Sequence, residues 1–204
     1  MDAEDSYSQR SAHPVGRYAK GEAKRAEIVA AGLEVLERDG EAGASMRAVA
    51  KEANISLAGL MHYFPTRDGL LTEIQRDGDA KFEQWYRNSE ADVDPGELLA
   101  RAMAAKVTKP GLATLYLSLV AAAAVDPSHP AAAYLRERYE HLRGLVAGYV
   151  KRRLAAGTVP PHVDADFAAA ALIAATDGIQ FQWMSDPSID MAGHVRAVWE
   201  RLLA

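Results

Sequence analysis

The sequence contains no cysteine. Disulfides and thiolate metal sites are therefore excluded. No apolar stretch reaches the roughly 20 residues that a membrane-spanning helix needs. Residues 113–125 come nearest, but they are too short and include Thr114, Tyr116 and Ser118. Residues 1–30 carry charge and no apolar run, so no signal peptide is visible and a cytoplasmic location is expected. Apolar–polar alternation is nowhere sustained over the length of a strand, and there is no internal repeat. Six histidines are present, none paired with a carboxylate at the spacing of a helical metal site, and no glycine loop suited to cradling phosphate occurs. His162, Asp164 and Asp166 lie close together, but aspartates at a helix start are read as caps. No catalytic residue, metal or cofactor is expected. Positive charge is also in deficit: Lys and Arg number 23 against 28 Asp and Glu, a net charge of −5, which disfavours a general polyanion binder.

Apolar residues are plentiful. They make up 49% of 204 residues, enough to build one large domain or two small ones. Helical periodicity and breaks predict an all-α fold of about nine helices. The first spans 21–39 and stops at Gly40; two short helices follow within 45–64. Longer ones are expected over 67–88, 97–107, 112–125, 131–156, 164–185 and 190–203. Gly78 is a candidate bend, and 112–125, apolar nearly all round, is expected to be central and buried. The expected organisation is a disordered arm over 1–16, a DNA-contacting unit over 17–66 and a larger helical unit over 67–204. The positive charge that does exist is clustered, with Arg10, Arg17, Lys20, Lys24 and Arg25 against Glu22 alone. Such an arm on an acidic chain suits a small DNA footprint.

Residues 45–67, SMRAVAKEANISLAGLMHYFPTR, organise the remainder. Ser45 is placed to cap a helix carrying Met46, Val49, Ala50 and Ala53 on one face. Asn54 stands where a tight turn needs positive φ, which Asn accepts more readily than most residues. Ile55 points back to the core, and Ser56 caps a second helix with Leu60 and Phe64 inward. Pro65 ends that helix, and Thr66 caps the next. Two short helices crossing at such close range form a helix-turn-helix.

The order of features from Lys24 to Leu71 resembles the TetR family of transcriptional regulators. Asp39-Gly40, Ser45-Met46-Arg47, Val49-Ala50, Ala53-Asn54-Ile55-Ser56 and, above all, Leu60-Met61-His62-Tyr63-Phe64-Pro65-Thr66-Arg67 carry the likeness. The resemblance implies a homodimer that sets the second motif helix of each subunit into the major groove of a palindromic double-stranded DNA operator. It also implies release by a small-molecule effector bound in the C-terminal unit; the alternative is an activator, or a regulator without an effector. The expected DNA-binding residues are Arg17, Lys24, Ser45, Arg47, Ser56, Leu57, Ala58, Gly59, His62, Tyr63 and Arg67. Leu57 can meet a thymine methyl, and Gly59 lets backbone come close to DNA. His62 and Tyr63 match positions that touch the DNA backbone. Arg67 opposes the dipole at a helix start and so calls for an outside anion, a phosphate.

The effector is expected to be apolar or aromatic. Its cavity should lie among the helices starting near 67, 97, 112, 131 and 164, lined by Phe82, Trp85, Met103, Tyr116, Tyr139, His141, Asp177 and Phe181. Asp177 and His141 are the candidate polar anchors. The dimer face is sought on 134–154 and 164–184, where Gly144 and Gly148, and Ala170, Ala174 and Gly178, recur one turn apart.

Overall fold

A computed structural model of the chain describes the backbone of residues 15–88 and 93–204, and the side chains of 19–84 and 93–204. Among these residues there are nine helices and no strand, as the sequence predicts. They are α1 (Val15–Gly43), α2 (Met46–Glu52), α3 (Leu57–Tyr63), α4 (Arg67–Asn88), α5 (Pro95–Thr108), α6 (Pro110–Val125), α7 (Pro130–Ala155), α8 (Ala165–Ser185) and α9 (Met191–Leu202). Three of them begin on a proline, whose missing N–H costs nothing at that position.

Several expectations need correction. Helix α1 starts at Val15 rather than 21, so residues 15 and 16 belong to a helix and not to the arm. The strong helix formers Ala19, Lys20, Ala23, Lys24 and Arg25 outweigh the cost of Gly16 and Gly21. Residues 1–14 lie outside the described residues. Gly40 does interrupt α1, at φ 70° and ψ 179°, but a last helical turn follows it to Gly43. Helix α4, by contrast, runs through Gly78 without a break. Helix α6 is buried over Ala113–Leu119, whereas Ala121, Ala124 and Val125 are exposed, so it is central only in part.

Two hydrophobic cores hold the chain together. The first joins Ile28, Val35 and Leu36 of α1, Val49 of α2, Leu60 and Phe64 around α3, and Leu70, Leu71 and Ile74 of α4 to Leu115–Leu119 of α6 and Tyr134 of α7. The second joins α5, α7, α8 and α9 through Met103, Val146, Val150, Leu172, Trp183 and Trp199. The first core therefore crosses residue 67, where a boundary was expected, because the opening of α4 is packed as tightly into the motif as α1 is. Close helix crossings lock this arrangement. A Cβ on Gly111 at the start of α6 would lie 3.0 Å from the Leu36 carbonyl oxygen of α1. No single helix among the described residues is long and apolar enough to cross a membrane.

Candidate nucleic-acid interface and interior cavity

Helices α2 and α3 have seven residues each, too short to persist without help at their ends. That help is local. Ser45 Oγ accepts from Ala48 N at 3.2 Å, and Ser56 Oγ accepts from Gly59 N at 3.0 Å. Between them Asn54 adopts φ 51°, the only non-glycine residue with positive φ among those described, while Ile55 N donates to Ala50 O at 3.0 Å. Phe64 leaves α3 in an extended conformation ahead of Pro65, and Thr66 Oγ1 accepts from Gly69 N at 3.1 Å to open α4. Leu60 and Phe64 are buried, so α3 turns Ala58, Met61 and His62 outward with Leu57, Gly59 and Tyr63 half-buried.

The basic residues around this surface fall into two groups. Arg25 is spent as a brace: it donates to Tyr63 O at 3.2 Å, pairs with Glu73 at 3.3 Å and lies 4.3 Å from the centre of the Phe64 ring. Arg38 pairs with Asp39 and Glu52, and Lys24 with Glu27. Arg67 donates to the carbonyl oxygens of Ala44, at 3.1 Å, and Glu41. The premise that Arg67 needs an outside anion therefore fails, because the carbonyls at the end of α1 answer its charge. Arg47 and Lys51, one turn apart on α2, are exposed with no hydrogen bond or ion pair among the described residues. Lys51 was missed by sequence reasoning, although its place four residues after Arg47 was a readable signal. The hydroxyl of Tyr63 and the ring of His62, stacked edge-on at 5.4 Å, are likewise without a polar partner among those residues. Arg17 is helical, and its side chain lies outside the described residues.

A cavity of about 230 Å³ opens among α4, α5, α6, α7 and α8. Phe82, Met103, His141 and Asp177 are on its wall, with Leu98, Leu99, Leu142, Leu145 and Ile173 supplying apolar surface. Tyr116 and Tyr139 stand behind the wall instead. Their hydroxyls are 2.8 Å apart and donate to Asp177 at 3.0 and 2.7 Å. Burial pushes both phenols above their ordinary range, so they remain donors. Asp177 thus already accepts two donors, and His141 is exposed and faces Glu83 at 3.2 Å, so both expected polar anchors lie on the wall with internal partners. Phe181 is a further correction: it is 48% exposed on the outside of α8, because its position follows the helix face of Ala170 and Ala174 rather than that of Thr176. The Trp85 side chain lies outside the described residues.

Sequence reasoning also missed Lys106 and Arg138. Both are on the wall, with side-chain ends 4.6 and 4.8 Å from the centre of the Tyr116 ring. Arg138 Nε pairs with Asp79 at 2.8 Å, and Tyr134 donates to the same carboxylate. Lys106 donates to Gln180, whose amide in turn donates to Ala113 O at 3.0 Å.

Comparison with known proteins agrees with this geometry. A family model described as bacterial regulatory proteins, tetR family, matches residues 28–74. A second, described as the C-terminal part of a BetI-type transcriptional repressor, matches residues 97–204. The HTH-type transcriptional regulator BetI of Paraburkholderia phytofirmans is 34% identical over 88 residues, 41% of this chain and 44% of that protein. The chain thus spans less than half of the length of the curated relatives it matches. A TetR transcription regulator from Haloarcula marismortui superposes with a TM-score of 0.76 at 19% identity, over 89% of this chain and 97% of that one. The regulator FadR from Bacillus subtilis, solved in complex with stearoyl-CoA, does so with a TM-score of 0.66 at 17% identity, over 87% and 97%. With two family models that together match about three quarters of the chain, one of them covering more than half of it, this protein belongs to the TetR family of transcriptional regulators, which are DNA-binding proteins and not enzymes.

Proposed function

We propose that the protein is a homodimeric repressor that binds a palindromic DNA operator through α3 and is released from it by a small molecule in the interior cavity. The observation that carries this reading is the way two helices join the motif to the cavity. Helix α4 begins at the Thr66 cap and runs on to Gln75, Asp79 and Phe82 on the cavity wall. Helix α6 brings Leu112 to the wall and sets Gly111 against the Leu36 carbonyl of α1. Lys109, also on the wall, pairs with Glu37 of α1 at 2.7 Å. A ligand that separates these helices has rigid, packed elements through which to tilt the motif, and such coupling needs only different affinities for the two positions.

On the DNA side, α3 presents Leu57, Ala58, Gly59, Met61 and His62 for the groove, with the N-terminal N–H groups capped by Ser56 nearby. Arg47, Lys51 and Tyr63 supply phosphate contacts at the flank. For the dimer, α8 carries Phe167, Ala170, Ala174, Gly178 and Phe181 along one face, with Phe167 65% exposed and open space beside Gly178. An apolar stripe left open in this way suits a self-complementary contact between two copies. That FadR, which shares this fold, was solved in complex with stearoyl-CoA supports a ligand role for the protein.

The test is gel mobility of DNA from upstream of the protein's own gene, combined with sedimentation. A two-fold footprint, with half-sites spaced about one helical turn apart, and a dimer are expected. A lone subunit that ignores duplex DNA at low ionic strength would overturn the reading.

A further inference from the structure

The charged groups around the cavity are unequally satisfied. Asp79 receives Arg138, Tyr134 and, at 3.3 Å, Gln75. Asp177 receives two tyrosine hydroxyls, Glu83 faces His141, and Lys109 is tied to Glu37. Lys106 differs from the other cations on the wall in having no carboxylate within ion-pair distance among the described residues. Its ammonium carries three donors and gives one to Gln180. Gln180 is fully buried and anchored on Ala113 O, so it holds the ammonium in place. Burial first, and then the Arg138 charge, lower the Lys106 pKa to about 8. The groups facing Lys106 are Asp79 from α4, Tyr116 from α6, Arg138 from α7 and Asp177 from α8.

We propose that the cavity takes a small carboxylate with an apolar body, its acid group on Lys106 and its body against Leu98, Leu99, Met103, Leu142 and Leu145. The inference rests on the cavity being the effector site and names the chemistry of the effector. Beyond Gln180, an anionic acceptor is what Lys106 lacks, and such an acceptor makes the stronger, charge-assisted bond. A cation would instead turn to Asp79, whose charge Arg138 already answers, and to Asp177, which already accepts two tyrosine hydroxyls. Size narrows the class further. A cavity of about 150 Å³ lined with apolar side chains holds benzene. On that scale 230 Å³ holds roughly nine non-hydrogen atoms, one ring with a short acid-bearing arm.

Titration calorimetry of the full chain with phenylacetate, 2-phenylethanol and 2-phenylethylamine tests this. Phenylacetate should bind most tightly, roughly tenfold to a hundredfold better than the alcohol, which is what a charged hydrogen bond contributes. Lys106→Met, and Lys106→Gln as a second variant should the first not fold, should abolish that preference and leave the alcohol within about threefold. Raising the pH from about 7 to about 9.5 should weaken phenylacetate and not the alcohol, because the ammonium is lost as pH rises past its pKa. Tightest binding by the amine, an acid preference that survives in both variants, or no binding of the acid would each overturn the proposal. Calorimetry requires neither DNA nor an operator, so its failure leaves the regulatory reading intact; equally, failure of the native protein to shift DNA would leave this result standing.

Discussion

The motif and the body around the cavity are built on opposite plans. In the motif, Ile28, Leu36, Val49, Leu60 and Phe64 are at most 2% exposed, and the polar groups sit at helix ends as caps. In the body, two carboxylates, three tyrosines, a lysine and an arginine, buried or partly buried, line or back about 230 Å³ of open space. A close-packed aliphatic core transmits displacement and tolerates little internal rearrangement. A polar network beside a cavity can exchange partners when a ligand enters. The contrast teaches that α1 to α3 are packed into one another as a unit, and that the polar groups with room to exchange partners lie on the helices around the cavity.

Core truncation should divide the two regions most sharply. Leu60→Ala, at a fully buried site in the motif, should cost about 2–5 kcal/mol in chemical denaturation. Leu142→Ala, half-buried on the cavity wall, should cost roughly 1 kcal/mol because the space beside it is already open. Equal losses would end the distinction.

A smaller effect separates two arginines of the motif. Arg67→Ala should lower stability by about 1–2 kcal/mol, through lost donation to the Ala44 and Glu41 carbonyls at a partly exposed site, and leave the salt dependence of DNA binding unchanged. Arg47→Ala should leave stability alone and reduce the salt slope by about one. Denaturation midpoints and binding against salt concentration give both numbers, and the reverse pattern would return Arg67 to the DNA footprint.

The smallest effect concerns the far edge of the body. Hydrogen bonds from Arg196 and then Arg101 lower the Glu97 pKa from 4.5 to about 2 and clamp α5 to α9. A carboxylate with a depressed folded pKa contributes stability above its unfolded pKa and loses it as pH falls through the folded one. Glu97→Gln should therefore flatten the denaturation midpoint between pH 4.5 and about 2, slightly, because the site is exposed.

The motif was legible because its determinants are local. The Ser45, Ser56 and Thr66 caps each bond a backbone N–H three residues ahead, and Asn54 meets its φ requirement alone. Arg67 was misread because its acceptors lie 23 and 26 residues earlier, at the end of α1. Around the cavity, the five helices were named correctly from their apolar faces, yet residue roles were harder to assign. Phe181 and Asp177 lie four residues apart on one helix, and only the packing of α6 and α7 decides that one faces out and the other meets two tyrosines. Lys106 carried no signal at all, since a lysine near the end of an amphipathic helix ordinarily reaches solvent.

By itself the sequence determined the all-α class, the helix-turn-helix and the order of nine helices, because caps, prolines and apolar periodicity act within a turn or two of their own position. The tertiary structure alone decided which charges are spent on internal partners and which remain open. Those pairings join side chains such as Arg138 and Asp79, 59 residues apart, and a long-range ion pair of this kind forms only where packed helices bring its two halves together.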